Sequence, residues 1–133
     1  MTVHLDHLMI PAKNKELAAE RLAHILGVSW SPAKVGPFAA VYVNEGLTID
    51  FDEWSNAFAK GHYCFRVTEA EFQVILGRLK SSGIAYRSLP HCGVDYEVNH
   101  SVGGSVVYWS EPDGHVWESL IESYARGNGT GAE

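Results

Sequence analysis

The chain has 133 residues, 46% of them hydrophobic and 20% charged, which fits one globular domain with a single core. The formal net charge of -6 and the lack of a Lys/Arg cluster argue against nucleic acid as a partner. No apolar run is long enough to span a membrane, and the N-terminus shows no signal-peptide pattern. Two cysteines, Cys64 and Cys92, are too few for a disulfide framework or a cysteine-based zinc site. We therefore expect a cytoplasmic protein with no nucleic-acid or membrane partner.

The first half of the chain has the pattern of a strand, a helix and three further strands. Alternating apolar residues predict a strand over 3–10, which Pro11 ends. Asn14 can cap a helix over 15–26, and Gly27 suits the left-handed position after its end. Short strands are predicted over 28–30, 38–43 and 47–52, with a hairpin turn at 44–46.

The second half repeats that order of elements. Residues 61–67 predict a strand, and Thr68 with Glu71 forms a capping box. The helix that follows ends near Ser82, with Gly83 as its C-cap. Strands are predicted over 84–88 and 105–110 and from the next turn to about 121, and a loop over 89–102 separates the first two. Residues 123–133 are Gly-rich and predict a flexible tail.

The last predicted strand carries a carboxylate that needs a partner. The turn at 111–114 contains Pro-Asp-Gly, in which Pro presets φ and Gly accepts a positive φ. On a strand of period two, Val116, Glu118 and Leu120 share one face, so Glu118 lies among apolar neighbours. A buried carboxylate is costly unless it is paired or bound to a metal. The sequence therefore predicts that Glu118 faces either a cation, such as Arg66, or a metal ion.

The repeated order indicates an internal duplication of a strand–helix–strand–strand–strand unit. We expect a first module over 1–54, a linker over 55–60 and a second module over 61–122. Each module opens with a strand histidine and closes with a strand carboxylate. These four residues are His7 and Asp50 in the first module and His62 and Glu118 in the second.

The stretches 61–67 and 111–118, in this order of elements, resemble the vicinal oxygen chelate superfamily. That superfamily includes glyoxalase I, fosfomycin resistance enzymes, extradiol dioxygenases and bleomycin resistance proteins. The resemblance implies an α+β fold in which two βαβββ modules form curled mixed sheets around a metal cup. In metal-using members the ligands are a histidine of the first strand, a histidine opening the second module and a glutamate of the last strand. These positions match His7, His62 and Glu118.

Two imidazoles and one carboxylate suit a divalent first-row metal ion, which could be Fe, Mn, Ni, Zn or Co. Open coordination positions would accept a substrate through two neighbouring oxygens, with the metal as a Lewis acid. Each ligand candidate also has an ordinary structural interpretation. His7 or His62 could be a strand histidine with satisfied hydrogen bonds, and only strand parity separates His7 from His4.

Three further residues are candidates for catalysis through the same resemblance. Asp50 matches a position at which glyoxalase I carries a fourth ligand, although Asp is one methylene shorter than Glu, and it could serve as a base. Tyr108 resembles a tyrosine of extradiol dioxygenases that orients the substrate hydroxyl. His100 lies one residue from where those enzymes carry an acid–base histidine. The alternatives are an exposed edge-strand acid for Asp50 and an ordinary sheet aromatic for Tyr108.

Three residues are candidates for substrate binding. Arg66 and Cys64 share the face of His62 by strand parity, and a cation near the metal would suit an anionic substrate. Trp54 follows the fourth strand and could form a pocket wall. The alternatives are a structural salt bridge for Arg66 and a small core residue for Cys64.

Two functional hypotheses follow from the resemblance. The first is a metal-dependent enzyme acting on a small molecule, either a glyoxalase-like lyase or isomerase or a small dioxygenase. The second is a metal-free protein that sequesters a ligand, as bleomycin resistance proteins do. The resemblance also implies a homodimer with the site between paired modules, although pairing of both modules within one chain stays open.

Overall fold

The computed structural model describes residues 2–126, and the chain divides into two compact units between Ala59 and Lys60. Each unit contains one helix and one four-stranded mixed sheet. The predicted α+β class, with two strand–helix–strand–strand–strand modules, is therefore confirmed. Neither helix within residues 2–126 has the length and apolar character required to cross a membrane.

The first unit consists of five elements: β1 (His7–Ala12), α1 (Lys15–Leu26), β2 (Ser29–Pro32), β3 (Ala39–Asn44) and β4 (Leu47–Glu53). The sheet order is β1-β4-β3-β2, with β1 and β4 parallel and the other pairs antiparallel. As predicted, Asn14 caps α1 by accepting a hydrogen bond from Leu17 N, and Gly27 follows with φ +75°.

The first strand begins later than predicted and continues through Pro11. Thr48 N donates to Asp6 O and Trp54 N donates to Ala12 O, so even-numbered residues of β1 pair with β4. The nitrogen of Pro11 therefore faces the open edge of the sheet. An edge strand tolerates proline there because no sheet hydrogen bond is lost.

The second unit repeats the elements as β5 (His62–Arg66), α2 (Glu69–Ser81), β6 (Tyr86–Arg87), β7 (Val106–Ser110) and β8 (Val116–Leu120). Its sheet order is β5-β8-β7-β6, again with the first pair parallel. The capping box of Thr68 and Glu71 is formed, which confirms the predicted start of α2. The C-cap is Ser82, one residue before the predicted Gly83.

The parallel strand pair of the first sheet and that of the second sheet have equivalent registers. His7 pairs with Thr48 as His62 pairs with Val116. Two residues further along, Met9 pairs with Asp50 and Cys64 with Glu118. The backbone therefore gives the two histidines and the two carboxylates equivalent positions in their own units.

The two faces of the second sheet differ in chemistry. One face is aromatic, since Trp117 and Trp109 are each 1% exposed and Trp117 stacks on Phe65 with ring centroids 6.0 Å apart. Because strand side chains alternate, Glu118 points to the opposite face. That face carries the polar residues described next.

Candidate metal-binding site in the second unit

The polar face of the second sheet brings together residues from three strands. Cys64, Glu118 and Tyr108 are direct register partners across β5, β8 and β7, so their side chains point the same way. His62 and Arg66 flank Cys64 on the same face of β5 by strand parity. Parity within β5 predicted that His62, Cys64 and Arg66 share a face, and the register adds Glu118 and Tyr108 to it.

Glu118 is the centre of this group. Its side chain is 2% exposed, and Oε1 accepts a hydrogen bond from His62 Nε2 at 2.9 Å. Oε2 accepts a hydrogen bond from the hydroxyl of Tyr124. Because a carboxylate only accepts, the protons of both bonds belong to His62 and Tyr124. The buried carboxylate is thus paired, as its cost of burial requires.

Arg66 is not the partner of that carboxylate. Its Nε donates to Ile121 O at 3.2 Å, and its Nη2 lies 3.8 Å from the carboxylate of Glu122. The Arg66 side chain is 64% exposed, so its charge remains accessible to a ligand. Of the two partners that the sequence allowed for Glu118, the cation Arg66 is therefore wrong.

Two tyrosines extend the hydrogen-bonded network. The hydroxyls of Tyr108 and Tyr124 lie 3.2 Å apart. Since Tyr124 donates its one proton to Glu118, its oxygen can accept a hydrogen bond from Tyr108. Burial, followed by the bond to Glu118, raises the pKa of Tyr124, and burial also raises the pKa of Tyr108. Both phenols therefore remain protonated donors at neutral pH.

The thiol of Cys64 lies beside the same carboxylate. Partial burial of the sulfur, and then the negative charge of Glu118, raise the pKa of Cys64 to about 12. Both causes disfavour the thiolate. Cys64 is therefore a neutral thiol at physiological pH and not a nucleophile.

A cavity of about 330 Å³ adjoins this network. Its wall consists of Cys64, Arg66, Leu120, Ser123, Tyr124 and Ala125. This volume lies at the lower end of the range for small-molecule pockets. A ligand there would meet a thiol, a guanidinium and a phenol.

The pair His62 and Glu118 suits two ligands of one metal ion. Ligands of a first-row ion lie about 2.0–2.2 Å from it, so two ligands at right angles lie about 3 Å apart. The measured separation of His62 Nε2 and Glu118 Oε1 is 2.9 Å. Within residues 2–126, no three His, Cys, Asp or Glu side chains are grouped so as to hold a metal ion. The structure therefore brings together two of the three predicted ligands, both in the second unit.

The third predicted ligand, His7, belongs to the first unit. Its Nδ1 lies 2.8 Å from the carboxylate of Asp6, and its side chain is 63% exposed. The hydrogen bond to Asp6 raises the pKa of His7. Asp50 shares its face by register, and partial burial raises the pKa of Asp50 against the opposing charge of His7.

Trp54 belongs to the first unit, and His100 belongs to a loop of the second. The Trp54 indole donates to Asp52 Oδ2 at 2.8 Å within the first unit. His100 is exposed, and its Nδ1 lies 3.2 Å from Ser105 Oγ in the loop before β7. His100 therefore contacts neither His62 nor Glu118.

Two residues of the site were missed by sequence reasoning. Tyr124 lies in the stretch predicted as a tail, and the one available signal was an aromatic residue among small and polar neighbours. His115 is fully buried, and its Nδ1 accepts a hydrogen bond from Gly61 N at 2.8 Å. This bond ties the start of β8 to the residue that precedes His62, so it helps to place that imidazole.

Three solved structures illustrate what the chain is similar to. Oxidase ChaP-H2 is 36% identical with a TM-score of 0.87, over 97% of this chain and 100% of that one. Oxidase ChaP-H1 is also 36% identical, with a TM-score of 0.85 over 93% of this chain and 99% of that one. The fosfomycin resistance protein FosX from Listeria monocytogenes shares the fold at 16% identity, with a TM-score of 0.69 over 92% of this chain and 96% of that one. No protein-family model and no curated protein matches the sequence.

The fold, the duplicated register and these similarities agree with the predicted resemblance. The chain belongs to the vicinal oxygen chelate superfamily.

Proposed function

We propose that this protein is a metal-dependent enzyme of the vicinal oxygen chelate type, acting on a small molecule that offers two neighbouring oxygens to the metal. The observation that carries the proposal is the pair of His62 and buried Glu118, with ligand atoms 2.9 Å apart. His7 is proposed as the third ligand, supplied by the same chain or by a second copy in a homodimer. Two histidines and one carboxylate leave coordination positions open for such a substrate.

Between the two reaction classes that the sequence left open, an oxidation is favoured over a lyase or isomerase reaction. Both structures at 36% identity are named oxidases. Two histidines and one carboxylate on one face of an ion are also typical of non-haem Fe(II) oxygenases. We therefore propose Fe(II) as the metal, which would supply redox chemistry and Lewis acidity when bound.

The residues around the pair have separate proposed roles. Tyr108 would orient a substrate oxygen, because its hydroxyl belongs to the network that ends on Glu118. Arg66 would attract an anionic group of the substrate, since its exposed guanidinium lines the cavity. Cys64 would form an uncharged part of that wall.

Asp50, His100 and Trp54 retain the roles proposed from the sequence, namely a base, an acid–base group and a pocket wall. His100 lies beside Ser105 in the second unit, and Asp50 and Trp54 belong to the first unit. Substitution of each residue is therefore the test of its proposed role.

The test is the metal content and oxygen uptake of the untagged protein. We expect about one Fe(II) per chain after anaerobic loading, measured by elemental analysis. Oxygen uptake with a panel of catechols would support the oxidation, and turnover of methylglyoxal–thiol adducts would instead identify the lyase class. His62→Ala and His7→Ala should each lose the metal, whereas His91→Ala, in an exposed loop, should keep it.

Failure to bind any divalent metal would overturn the proposed enzyme. Tight binding of an aromatic or cationic compound that is indifferent to a chelator would then favour the sequestering protein. Loss of metal in His62→Ala but not in His7→Ala would remove His7 from the ligand set.

A further inference from the structure

Tyr124 lies beyond the end of β8, and its phenol reaches back to Glu118. The phenol donates to Oε2, while Oε1 accepts from His62. The two oxygens of the carboxylate therefore have separate partners from separate elements. Tyr124 is 36% exposed and also lines the cavity, so two hydrogen bonds rather than core packing hold its hydroxyl in place.

We propose that Tyr124 is a positioning residue for Glu118, which holds Oε2 so that Oε1 is the one oxygen presented to a metal ion beside His62. The inference rests on the metal site proposed above. The segment that follows β8 would then contribute a residue to the metal site.

The first reason for this assignment is that the carboxylate group of Glu118 can rotate about its terminal torsion. The terminal torsion of a glutamate is broad, so the sheet alone does not determine which oxygen faces His62. A carboxylate can also bind a cation through both oxygens. A donor on Oε2 competes with the second mode, because it takes one of the two lone pairs of that oxygen.

The burial of Glu118 is the second reason. Its side chain is 2% exposed, so water cannot readily replace a missing phenol. The Tyr108 hydroxyl lies 3.2 Å from the Tyr124 oxygen, so the hydroxyl that bonds to Oε2 has a second hydrogen-bonding neighbour.

Metal binding affects the two hydrogen bonds of the Glu118 carboxylate differently. His62 Nε2 must release its proton to become a ligand, so its bond to Oε1 is lost on loading. The bond from Tyr124 uses the other oxygen and is unaffected. Tyr124 therefore acts on the loaded site as well as on the empty one.

The experiment is a titration of chelator-treated full-length protein with Co²⁺. Tyr124→Phe removes only the hydroxyl and should lower the affinity about 10- to 100-fold, as loss of a group that orients a ligand does. The visible absorption of the bound ion should also weaken, because binding through both oxygens raises the coordination number. A merely structural role would leave that spectrum unchanged.

Tyr42→Phe is the matched control. Tyr42 also makes a hydroxyl hydrogen bond within a sheet, to Ser31 Oγ at 2.7 Å, but in the first unit. Its affinity and spectrum should equal those of the wild type. Thermal melts of the three metal-free proteins would show whether each is folded.

The outcomes separate this inference from the proposed function. If the wild type binds Co²⁺ and Tyr124→Phe matches its affinity and spectrum, the inference is wrong and the metal site stands. If the wild type binds no Co²⁺, both are wrong. If Tyr124→Phe does not fold, Tyr108→Phe decides, because loss of the donor to Tyr124 should give a smaller drop in affinity, and an unchanged affinity would contradict the inference.

Discussion

The two units place a histidine and a carboxylate in the same register, yet only the second unit joins them in a network. In the second unit, Tyr108 is the register partner of Glu118 on β7. The equivalent partner of Asp50 on β3 is Ala40, which has no polar side chain. The backbone therefore gives each unit the same positions, while the neighbouring side chains decide whether a carboxylate can be buried with two donors.

The difference extends to exposure and charge. Glu118 is 1% exposed and has both oxygens hydrogen-bonded, whereas His7 in the first unit is exposed and bonds to its neighbour Asp6. Asp50 is half-buried and has only the charge of His7 to oppose the rise in its pKa. One copy of the duplicated unit thus has a preorganised carboxylate, and the other does not.

The largest expected effect is on stability, and it concerns the sheet face opposite to the one that carries Glu118 or Asp50. Trp117→Ala should lower the free energy of unfolding by about 3–5 kcal/mol, because a fully buried indole that stacks on Phe65 is lost. Its register equivalent Ile49 is also buried, and Ile49→Val should cost only about 0.5–1.5 kcal/mol. Urea denaturation followed by circular dichroism measures both. A cost below about 1 kcal/mol for Trp117→Ala would contradict the packing described here.

The second prediction contrasts the two carboxylates. Glu118→Gln keeps the shape of the side chain but removes its charge, and should weaken metal binding by about 100-fold or more. Asp50→Asn, the equivalent change in the first unit, should alter metal affinity by less than about 3-fold, because His7, the histidine of that unit, bonds to Asp6. Competition with a chromophoric chelator measures both affinities. Equal losses would show that Asp50 is a fourth ligand.

The third prediction concerns Cys64, whose equivalent in the first unit is Met9. In metal-free protein with Cys92→Ser, alkylation of Cys64 at pH 8 should be about 10- to 100-fold slower than that of a free cysteine, since a pKa of about 12 leaves little thiolate. The rate should rise with pH throughout the alkaline range. Adding Glu118→Gln removes a negative charge, lowers this pKa and should accelerate the reaction. Mass spectrometry measures the rates. An alkylation rate that does not change in Glu118→Gln would be inconsistent with the proximity of Cys64 and Glu118.

The smallest expected effect compares the helix caps of the two units. Thr68→Ala and Asn14→Ala each remove one side-chain acceptor from a helix N-terminus and should cost about 1 kcal/mol. The loss at Thr68 should be slightly greater, because Glu71 then loses its reciprocal partner in the capping box. Ser29→Ala, at an exposed position of β2, is a control for the same urea measurement.

Prediction from sequence succeeded where local rules decide the structure. The capping box at Thr68, the cap at Asn14 and the left-handed Gly27 depend on neighbours in sequence, and all three are present. Strand parity likewise put His62, Cys64 and Arg66 on one face, since the period of a strand is local.

Prediction failed where partners come from elsewhere in the chain. Pro11 reads as a strand breaker, but β1 is an edge strand and continues past it. The strand predicted over 84–88 shrinks to two residues, because β6 pairs with β7 only there. Tyr124 escaped notice because nothing in its own stretch indicates a hydrogen bond to Glu118.

By itself, the sequence determined the order of the elements, the duplication and the positions of the histidines and carboxylates within it, because these follow from periodicity, capping and turn chemistry. Only the tertiary structure decided which of these groups meet. The pairing of β5 with β8 sets His62 2.9 Å from Glu118, and the chain beyond β8 returns Tyr124 to the other oxygen. Such contacts depend on residues that are distant along the chain, and no local pattern encodes their distance in space.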